Sequence, residues 1–321
     1  MKRLYTIGEA LIDFIPAEKG KKLKDINAFE PQVGGAPANV AAAHAILGGE
    51  SYLLTQLGTD AFGDRIIELL ESKGVHTDYI TRTGKANTGL AFVSLDETGN
   101  RDFSFYRNPS ADLLYDGSAV KDIDFHKEDL LHFCSVDLVE STMKETHRTV
   151  IGKMKEAGGT VVFDPNIRLP LWEDKDACRA AVREFMKYAD IIKISDEELE
   201  FITGIKNESD ALSALFTDDV EAVIYTKGPA GSEIIYREGG YCEHPGFEVD
   251  TIDTTGAGDA FIGAVLYQLS SYTKPAIDAL KENGPEILRL ANAVGALSTT
   301  RKGAIMSIPS YKEADDLTSS I

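Results

Sequence analysis

The stretch Asp253-Thr-Thr-Gly-Ala-Gly-Asp-Ala-Phe-Ile-Gly-Ala-Val-Leu-Tyr-Gln268 decides how this chain is read. Its first half is rich in hydroxyl groups and places Gly256 and Gly258 around one alanine. Its second half carries apolar residues at helical spacing, which are Phe261, Ile262, Val265, Leu266 and Leu269. The sequence therefore predicts a glycine turn that opens directly into a buried helix.

This junction between turn and helix has the properties of an anion site. The first amides of a helix lack partners within the helix, and the helix dipole adds partial positive charge there. Glycines let a phosphate approach the backbone closely. A carboxylate beside that phosphate, here Asp259, indicates proton transfer rather than more binding. The structural alternative is that Asp259 caps the helix and the glycines only turn the chain, and this stretch alone leaves both open.

Composition bounds the class of protein. The chain has 321 residues, of which 43% are hydrophobic, enough for one large α/β domain or two smaller ones. Its net charge is −19, from 33 basic and 52 acidic residues spread along the chain. Such a surface repels nucleic acid and anionic membranes, so we expect neither as a partner.

Cysteine usage and the N-terminal residues indicate the compartment. Cys134, Cys178 and Cys242 form no motif, and free thiols in a reducing cytoplasm are the default for that pattern. The six histidines show no zinc-ligand spacing. The first residues contain no long apolar run, so we expect no signal peptide and no membrane-spanning segment.

Strand and helix patterns alternate along most of the chain. Strand-like runs lie at 4–7, 10–15, 52–57, 130–136, 160–163, 191–194, 222–226 and 232–236. Helical patterns lie at 62–73, 141–157, 175–188 and 285–300, and others begin after Gly35 and at Ser195. This alternation predicts a parallel sheet covered by helices. A hairpin pattern at 88–95 and 101–107, joined by Asp-Glu-Thr-Gly-Asn, interrupts it and predicts a small projecting sheet.

Five polar features are candidates for ligand contacts, and most of them have a structural alternative. Asp13 at a strand end can accept sugar hydroxyls or form a turn, and Gly34–Asn39 can hold hydroxyls or be an ordinary helix entry with Pro37 in the first turn. Polar residues 164–168 follow a strand, where open α/β sheets bind ligands. Ser195 and Glu198 have the spacing of a capping box. The turn at 227–231 can cover a nucleotide or close a hairpin.

Two of these stretches together resemble the signatures of the ribokinase-like (PfkB) carbohydrate kinases. They are Gly34-Gly-Ala-Pro-Ala-Asn39 and Asp253-Thr-Thr-Gly-Ala-Gly-Asp259, the second being the more specific. The resemblance runs from about residue 4 to 310, and residues 164–168 and 193–198 look most like the fructokinase branch. It implies one domain over 1–321: a three-layer α/β/α sandwich with a mostly parallel central sheet. It also implies a β-sheet lid at about 10–32 and 84–110.

The resemblance implies roles for particular residues. Asp259 would be the general base, and the amides of Gly256, Ala257 and Gly258 would form the anion hole. The implied sugar contacts are Asp13, Gly34, Gly35, Asn39, Phe103, Arg107, Asn166 and Arg168. The implied ATP contacts are Lys193, Ser195, Thr226, Gly228, Gly231 and Asn292.

Ion sites are implied in the same way. Glu198 would organise Mg²⁺ through water, although Ser195 stands where the family often has asparagine. A monovalent cation such as K⁺ would lie at Asp253, Thr255, Ser298, Gly303 and Ser307.

The implied reaction is transfer of the ATP γ-phosphoryl group to a primary sugar hydroxyl, with fructose giving fructose 6-phosphate favoured. Alternatives within the family are 2-keto-3-deoxygluconate, ribose or a nucleoside, and Arg107 and Arg168 leave the acidic sugar open. A non-catalytic sugar sensor is disfavoured by the intact Gly-Ala-Gly-Asp259. A dinucleotide oxidoreductase lacks G-x-G-x-x-G after the first strand. The family analogy also suggests a homodimer formed through the lid.

Overall fold

The computed structural model describes residues 1–18, 20–95 and 101–319, except for the side chains of residues 95 and 101–103. The hairpin turn expected at 96–100 and the side chain of Phe103 therefore lie outside the described part of the chain. The strands in the described ranges are β1 Arg3–Ile7, β2 Leu11–Pro16, β3 Phe29–Gly34, β4 Glu50–Gly58, β5 Ile80–Thr83, β6 Gly89–Leu95, β7 Arg101–Tyr106, β8 Leu130–Cys134, β9 Thr160–Asp164, β10 Ile191–Ser195, β11 Ala222–Thr226, β12 Ser232–Tyr236 and β13 Tyr241–His244. The helices there are α1 Ala36–Ile46, α2 Ala61–Ser72, α3 Thr142–Ala157, α4 Lys175–Met186, α5 Asp196–Thr203, α6 Glu208–Ser213, α7 Ala257–Ser271, α8 Ala276–Ser298 and α9 Tyr311–Ser319.

A large, mostly parallel sheet forms the centre of the fold. Its strand order is β13-β12-β11-β10-β9-β8-β1-β4-β5, and only β12 and β13 run antiparallel to their neighbours. Successive side chains of β1 enter different cores, since Leu4 packs with α1, α7 and α8 while Tyr5 packs on the face of α3 and α4. Because both faces are covered, the strands are buried runs of apolar residues. The expected three-layer sandwich is confirmed.

A second, four-stranded sheet carries the order β3-β2-β6-β7. The predicted hairpin partners β6 and β7 pair antiparallel, and β2 joins β6 in parallel. Rings of Phe14 and Phe92 stack at 4.6 Å between centroids, and Phe29 meets both edge-on. This sheet is the small lid-like layer that the sequence predicted, with β3 as an additional strand.

Some boundaries differ from the sequence-based expectation. The short elements β5, α6 and β13 were not predicted, because pieces of four to six residues carry too little periodicity. The strand expected at 130–136 ends at Cys134. The helix expected from Pro285 begins at Ala276 instead and contains a non-helical residue, Asn283, just before that proline.

Helices α1 and α7 pack unusually close together, and small residues make this possible. A Cβ atom on Gly263 of α7 would lie 2.5 Å from Ala43 Cβ and 3.2 Å from Val40 O of α1. Real Cβ atoms do not approach other atoms that closely, so the helix spacing requires glycine here. Gly152 of α3 gives a contrast, since a Cβ there meets nothing within 4 Å.

Matched glycine-to-alanine substitutions therefore have opposite predicted effects. Gly152→Ala should raise the free energy of unfolding by about 0.5–1 kcal/mol, because alanine restricts the unfolded chain and favours helix. Gly263→Ala should lower it by about 1–3 kcal/mol through overpacking. Urea denaturation of both variants measures this. Equal effects of the same sign would show that the α1–α7 contact is not tight.

Candidate active site

The glycine turn at residues 254–258 begins helix α7 as the sequence predicted. Gly256 has φ = 73°, a left-handed conformation, and a Cβ there would also lie 2.9 Å from Ala304 Cβ. The amide of Ala257 donates to Thr254 O over a long 3.3 Å. Gly258 lines the large cavity described below, and a Cβ on it would lie 3.4 Å from Lys193 Nζ. The turn thus brings a helix start and an ammonium group to one place.

Asp259 lies in the first turn of α7 and is only 7% exposed. Two asparagine amides hold its carboxylate: Asn39 Nδ2 donates to Oδ2 at 2.8 Å, and Asn166 Nδ2 donates to Oδ1 at 3.1 Å. Asn39 comes from α1, and Asn166 follows β9 in a left-handed conformation with φ = 42°. Three distant segments of the chain therefore converge on this one carboxylate.

The environment makes Asp259 a stronger base than a free aspartate. Burial raises the pKa of its carboxyl group, and this outweighs the amide of Asn39, the charges of Arg168 and Lys193, and the amide of Asn166. A carboxylate whose pKa is closer to 7 accepts a proton from an alcohol more readily. The arrangement therefore fits proton transfer. A residue that only capped the helix would not need a raised pKa.

Lys193 and Asp164 form a buried ion pair beside the glycine turn. Lys193 Nζ lies 3.1 Å from Asp164 Oδ2, and both side chains are at least nine-tenths buried. Burial works against the ammonium charge, but Asp164, Glu198 and Asp259 outweigh it and raise the pKa of Lys193 to about 12. Burial raises the pKa of Asp164 to about 7, although Lys193 opposes this. Lys193 is therefore a permanent cation at the mouth of the site.

A cavity of about 990 Å³ opens at the carboxyl end of the sheet, next to this pair. Its walls include two anion-turn residues and all six residues that the resemblance assigned to ATP, which are Ala257, Gly258, Lys193, Ser195, Thr226, Gly228, Gly231 and Asn292. The Lys227–Gly231 turn both closes the β11–β12 hairpin and lines this cavity, so its two sequence interpretations are compatible.

The sequence did not single out the loop at 246–251, which forms another wall of the same cavity. Phe247 and Val249 supply its apolar surface, together with Phe261 of α7. Such a wall is typical of a pocket for a flat aromatic ring. The loop carries no periodic pattern, so sequence reasoning had no signal for it beyond its glycine.

Glu198 acts first as a helix-capping residue. Its Oε2 accepts from the Ser195 amide at 3.1 Å and the Ser195 hydroxyl at 2.8 Å, and its Oε1 accepts from the Ile167 amide at 2.7 Å. The capping-box interpretation is therefore correct. A carboxylate has about four acceptor positions, and the one left fits a metal-bound water rather than direct coordination.

Three of the residues assigned to a monovalent cation, Asp253, Thr255 and Gly303, are joined by hydrogen bonds where two loops cross. Asp253 Oδ1 accepts from the amide and hydroxyl of Thr255, at 3.0 and 2.6 Å, and Asp253 Oδ2 accepts from Gly303 N at 3.1 Å. The hydroxyls of Ser298 and Ser307 donate to backbone carbonyls of Gly295 and Ala304. Their oxygen atoms retain lone pairs, so this oxygen-rich crossing fits a hard cation.

On the lid side, Asp13 and the turn at 34–35 lie against each other. A Cβ on Gly34 would lie 2.1 Å from Asp13 Oδ2, and a Cβ on Gly35 would lie 2.5 Å from Glu9 O. Arg168, which is half-buried, donates to Ile167 O and its charge acts on Asp259. Of the predicted sugar contacts, Asn39 and Asn166 thus bind Asp259 and Arg168 acts on it through its charge. Asp13 lies against the turn that precedes the helix of Asn39.

Arg107 has a different environment from the one expected for a free sugar or phosphate contact. It is 7% exposed, and its Nη2 donates to both Asp112 and Asp137. Its charge is therefore compensated within the protein. Asp112, Asp137 and the nearby Glu9 were not predicted as a cluster, because their separation along the chain gives no local motif.

Comparisons with known proteins agree with this geometry. Residues 1–310 match the family model described as "pfkB family carbohydrate kinase". A fructokinase-2 from Oryza sativa subsp. japonica is 38% identical over 319 residues, covering 98% of this chain and 94% of that protein.

Solved structures show the same fold. A double mutant of fructokinase from Vibrio cholerae O395, solved with fructose, ADP and a potassium ion bound, is 32% identical, with a TM-score of 0.89 and coverage of 99% of this chain and 98% of that one. An aminoimidazole riboside kinase from Salmonella enterica, complexed with its riboside and an ATP analog, is 28% identical, with a TM-score of 0.87 and coverage of 99% and 100%. The chain therefore belongs to the pfkB family of carbohydrate kinases.

Proposed function

We propose that this protein is an ATP-dependent fructokinase that transfers the γ-phosphoryl group to a primary hydroxyl and forms fructose 6-phosphate. The observation that carries the proposal is the buried Asp259, held by Asn39 and Asn166 one residue after a glycine turn that borders the 990 Å³ cavity. The similarity to fructokinases over nearly the whole chain supports the choice of sugar.

The chemistry follows from these groups. Asp259 accepts the proton of the sugar hydroxyl as bonding to phosphorus develops. The amides of Gly256 and Gly258, with the Lys193 ammonium group, stabilise charge on the equatorial oxygens of a loose transition state. The Ala257 amide contributes only if its long bond to Thr254 O is given up. When bound, Mg²⁺ would supply positive charge that offsets the charge of the phosphates, and Glu198 would hold it through a water.

Two observations support a neutral sugar over the alternatives. An acidic sugar needs a cation, and the charge of Arg107 is compensated by Asp112 and Asp137, which leaves only Arg168 of the two arginines that could bind its carboxylate. A nucleoside needs an aromatic stacking slot, whereas Phe14, Phe29 and Phe92 of the lid pack on one another. The riboside kinase likeness keeps ribosides as the second candidate.

Further features of the proposal concern ions, assembly and location. We propose K⁺ at the Asp253 loop crossing, and one kinase domain over 1–321 whose lid is the β3-β2-β6-β7 sheet. The lid ends in an edge strand whose last residue, Tyr106, is 61% exposed, which fits a homodimer formed through this edge. Light scattering tests the dimer.

No helix in the described ranges has the length and apolar character needed to cross a bilayer. Three free thiols fit a cytoplasmic enzyme.

A phosphorylation screen tests the substrate. We expect ADP release with fructose to exceed that with ribose, 2-keto-3-deoxygluconate or nucleosides, because the similarity to fructokinases extends over nearly the whole chain. Activity should fall on removal of Mg²⁺ and on exchange of K⁺ for Na⁺. A preference for a nucleoside or for the acidic sugar would replace fructose in the proposal.

Substitution of the base tests the mechanism. Asp259→Asn should lower turnover by at least about a hundredfold, since general base catalysis contributes about 10²–10⁴-fold. Sugar binding, measured by calorimetry, should be largely retained because Asn39 and Asn166 remain. Near-normal turnover of this variant would remove Asp259 from proton transfer.

Substitution of Lys193 separates its two roles. Lys193→Met should lower turnover, and its loss of unfolding free energy relative to wild type should be larger at pH 8 than at pH 5. Burial raises the folded-state pKa of Asp164 above its unfolded value of about 3.9, and Lys193 opposes this rise, so the pKa is higher still in the variant. A group with a raised folded-state pKa loses its stabilising effect as pH rises through that pKa. The variant therefore loses more stability than wild type at the higher pH. Denaturant titrations at both pH values measure this.

The double variant Lys193→Met/Asp164→Asn is the matched control. It should abolish this difference between the two pH values, because the titrating carboxyl group is gone, but it should not restore turnover. An equal stability loss at pH 5 and pH 8 in the single variant would contradict the assigned environment of Asp164.

A further inference from the structure

A sealed charge cluster lies at the base of the lid, outside the catalytic groups described above. Its members are Glu9, Arg107, Asp112 and Asp137, which are 3%, 7%, 1% and 1% exposed. Arg107 donates to Asp112 and Asp137, and the charges of Asp137 and Arg107 both act on Glu9. Three carboxyl groups face one guanidinium, so the cluster as a whole carries more acid than base, and nothing in the catalytic scheme uses it.

Glu9 determines where helix α1 begins. Its Oε1 accepts a hydrogen bond from the amide of Ala36, the first residue of α1, at 2.9 Å. Its backbone oxygen packs so closely on Gly35 that a Cβ there would lie 2.5 Å away. This buried side chain therefore provides the partner that a helix-start amide otherwise lacks.

The same helix carries Asn39 one turn later. The Asn39 amide donates to Gly35 O at 2.9 Å, and its side chain reaches Asp259 Oδ2 at 2.8 Å. A shift of Ala36 moves Asn39 with it, because the first helical turn is hydrogen-bonded as a unit. A carboxylate held by only two amides is sensitive to such a shift.

The cluster also joins this helix start to the lid. Arg107 directly follows lid strand β7, and a Cβ on Gly89, the first residue of lid strand β6, would lie 3.4 Å from Arg107 Cγ. Asp137 follows β8 of the main sheet. Glu9 thus lies where the lid, the main sheet and α1 meet.

We propose that Glu9 is a positioning residue of the sugar site, which holds the start of α1 so that Asn39 orients Asp259, and which acts through its length and hydrogen-bonding shape rather than its charge. This rests on the proposed function for the role of Asp259. Glu9 itself touches neither Asp259 nor any reacting atom.

The environment of Glu9 works against a charge on its carboxyl group. Burial raises the pKa of Glu9 well above its ordinary value, and Asp137 adds to this, while Arg107 and the Ala36 amide oppose it. Asp112 acts on the same guanidinium, and the buried Cys134 thiol faces Glu9 from β8. A buried carboxylate whose charge is not compensated is unstable and takes up a proton instead. Glutamine is therefore a close mimic of the native side chain.

The test compares Glu9→Gln with Glu9→Asp in the full-length enzyme. Gln keeps the reach to Ala36 and has no ionisable group, whereas Asp keeps the carboxyl group and is one methylene too short. We expect Gln to retain kcat and the KM for fructose. We expect Asp to lower kcat/KM for fructose by about tenfold to a hundredfold, as misplaced catalytic groups do, with the KM for ATP little changed.

A purely structural role predicts a different result, in which both variants lose thermal stability but keep kcat and KM of the folded enzyme. That result, or a Gln variant as impaired as the Asp variant, would overturn the proposal. Hydrogen exchange at the Ala36 and Asn39 amides gives a readout that needs no substrate. The exchange rate should rise in Glu9→Asp and stay at the wild-type level in Glu9→Gln. This expectation holds even if fructose proves not to be the sugar. Unchanged exchange in Glu9→Asp would also overturn the proposal.

Discussion

The close approach of helices α1 and α7 is the constraint on which the site depends. Asn39 and Ala43 lie four residues apart on one face of α1, and Asp259 and Gly263 lie four apart on one face of α7. Because Gly263 has no side chain, the helices meet at Ala43, and one turn earlier Asn39 reaches Asp259 at 2.8 Å. A wider spacing would leave that carboxylate buried with one amide fewer, and its charge would cost more.

Positive groups at the site offset the net negative charge of the chain, which by itself would repel ATP. A chain with net charge −19 is a poor attractor of ATP, which is itself an anion. The site answers this locally, with the Lys193 ammonium group and the start of α7 beside the cavity and with Arg168 near Asp259. The Asp164–Lys193 pair keeps that cation charged in a buried place. Positive groups are thus present at the place where phosphoryl transfer is proposed.

Much of the fold and part of the site followed from the sequence. The alternation of apolar strands and helices predicted the sandwich, and the hairpin pattern predicted the lid, because both depend on local periodicity. The glycine turn before α7 and the Ser195–Glu198 cap were also found, since each is a contiguous motif. The short strands β5 and β13 and the cavity wall at Phe247 were missed, because nothing local distinguishes them. For Arg107, the family resemblance implied a ligand contact, and only its buried partners Asp112 and Asp137 indicate a structural role.

By itself, the sequence determined the helix start at 256–259, the parallel sheet and the chemistry that an aspartate beside a glycine turn can perform. These depend on residues that are neighbours along the chain. Only the tertiary structure decided that Asn39 and Asn166 hold Asp259, that Lys193 pairs with Asp164, and that Glu9 supports α1. The physical reason is that burial and pairing energies depend on distances between segments up to 220 residues apart, which local pattern does not encode.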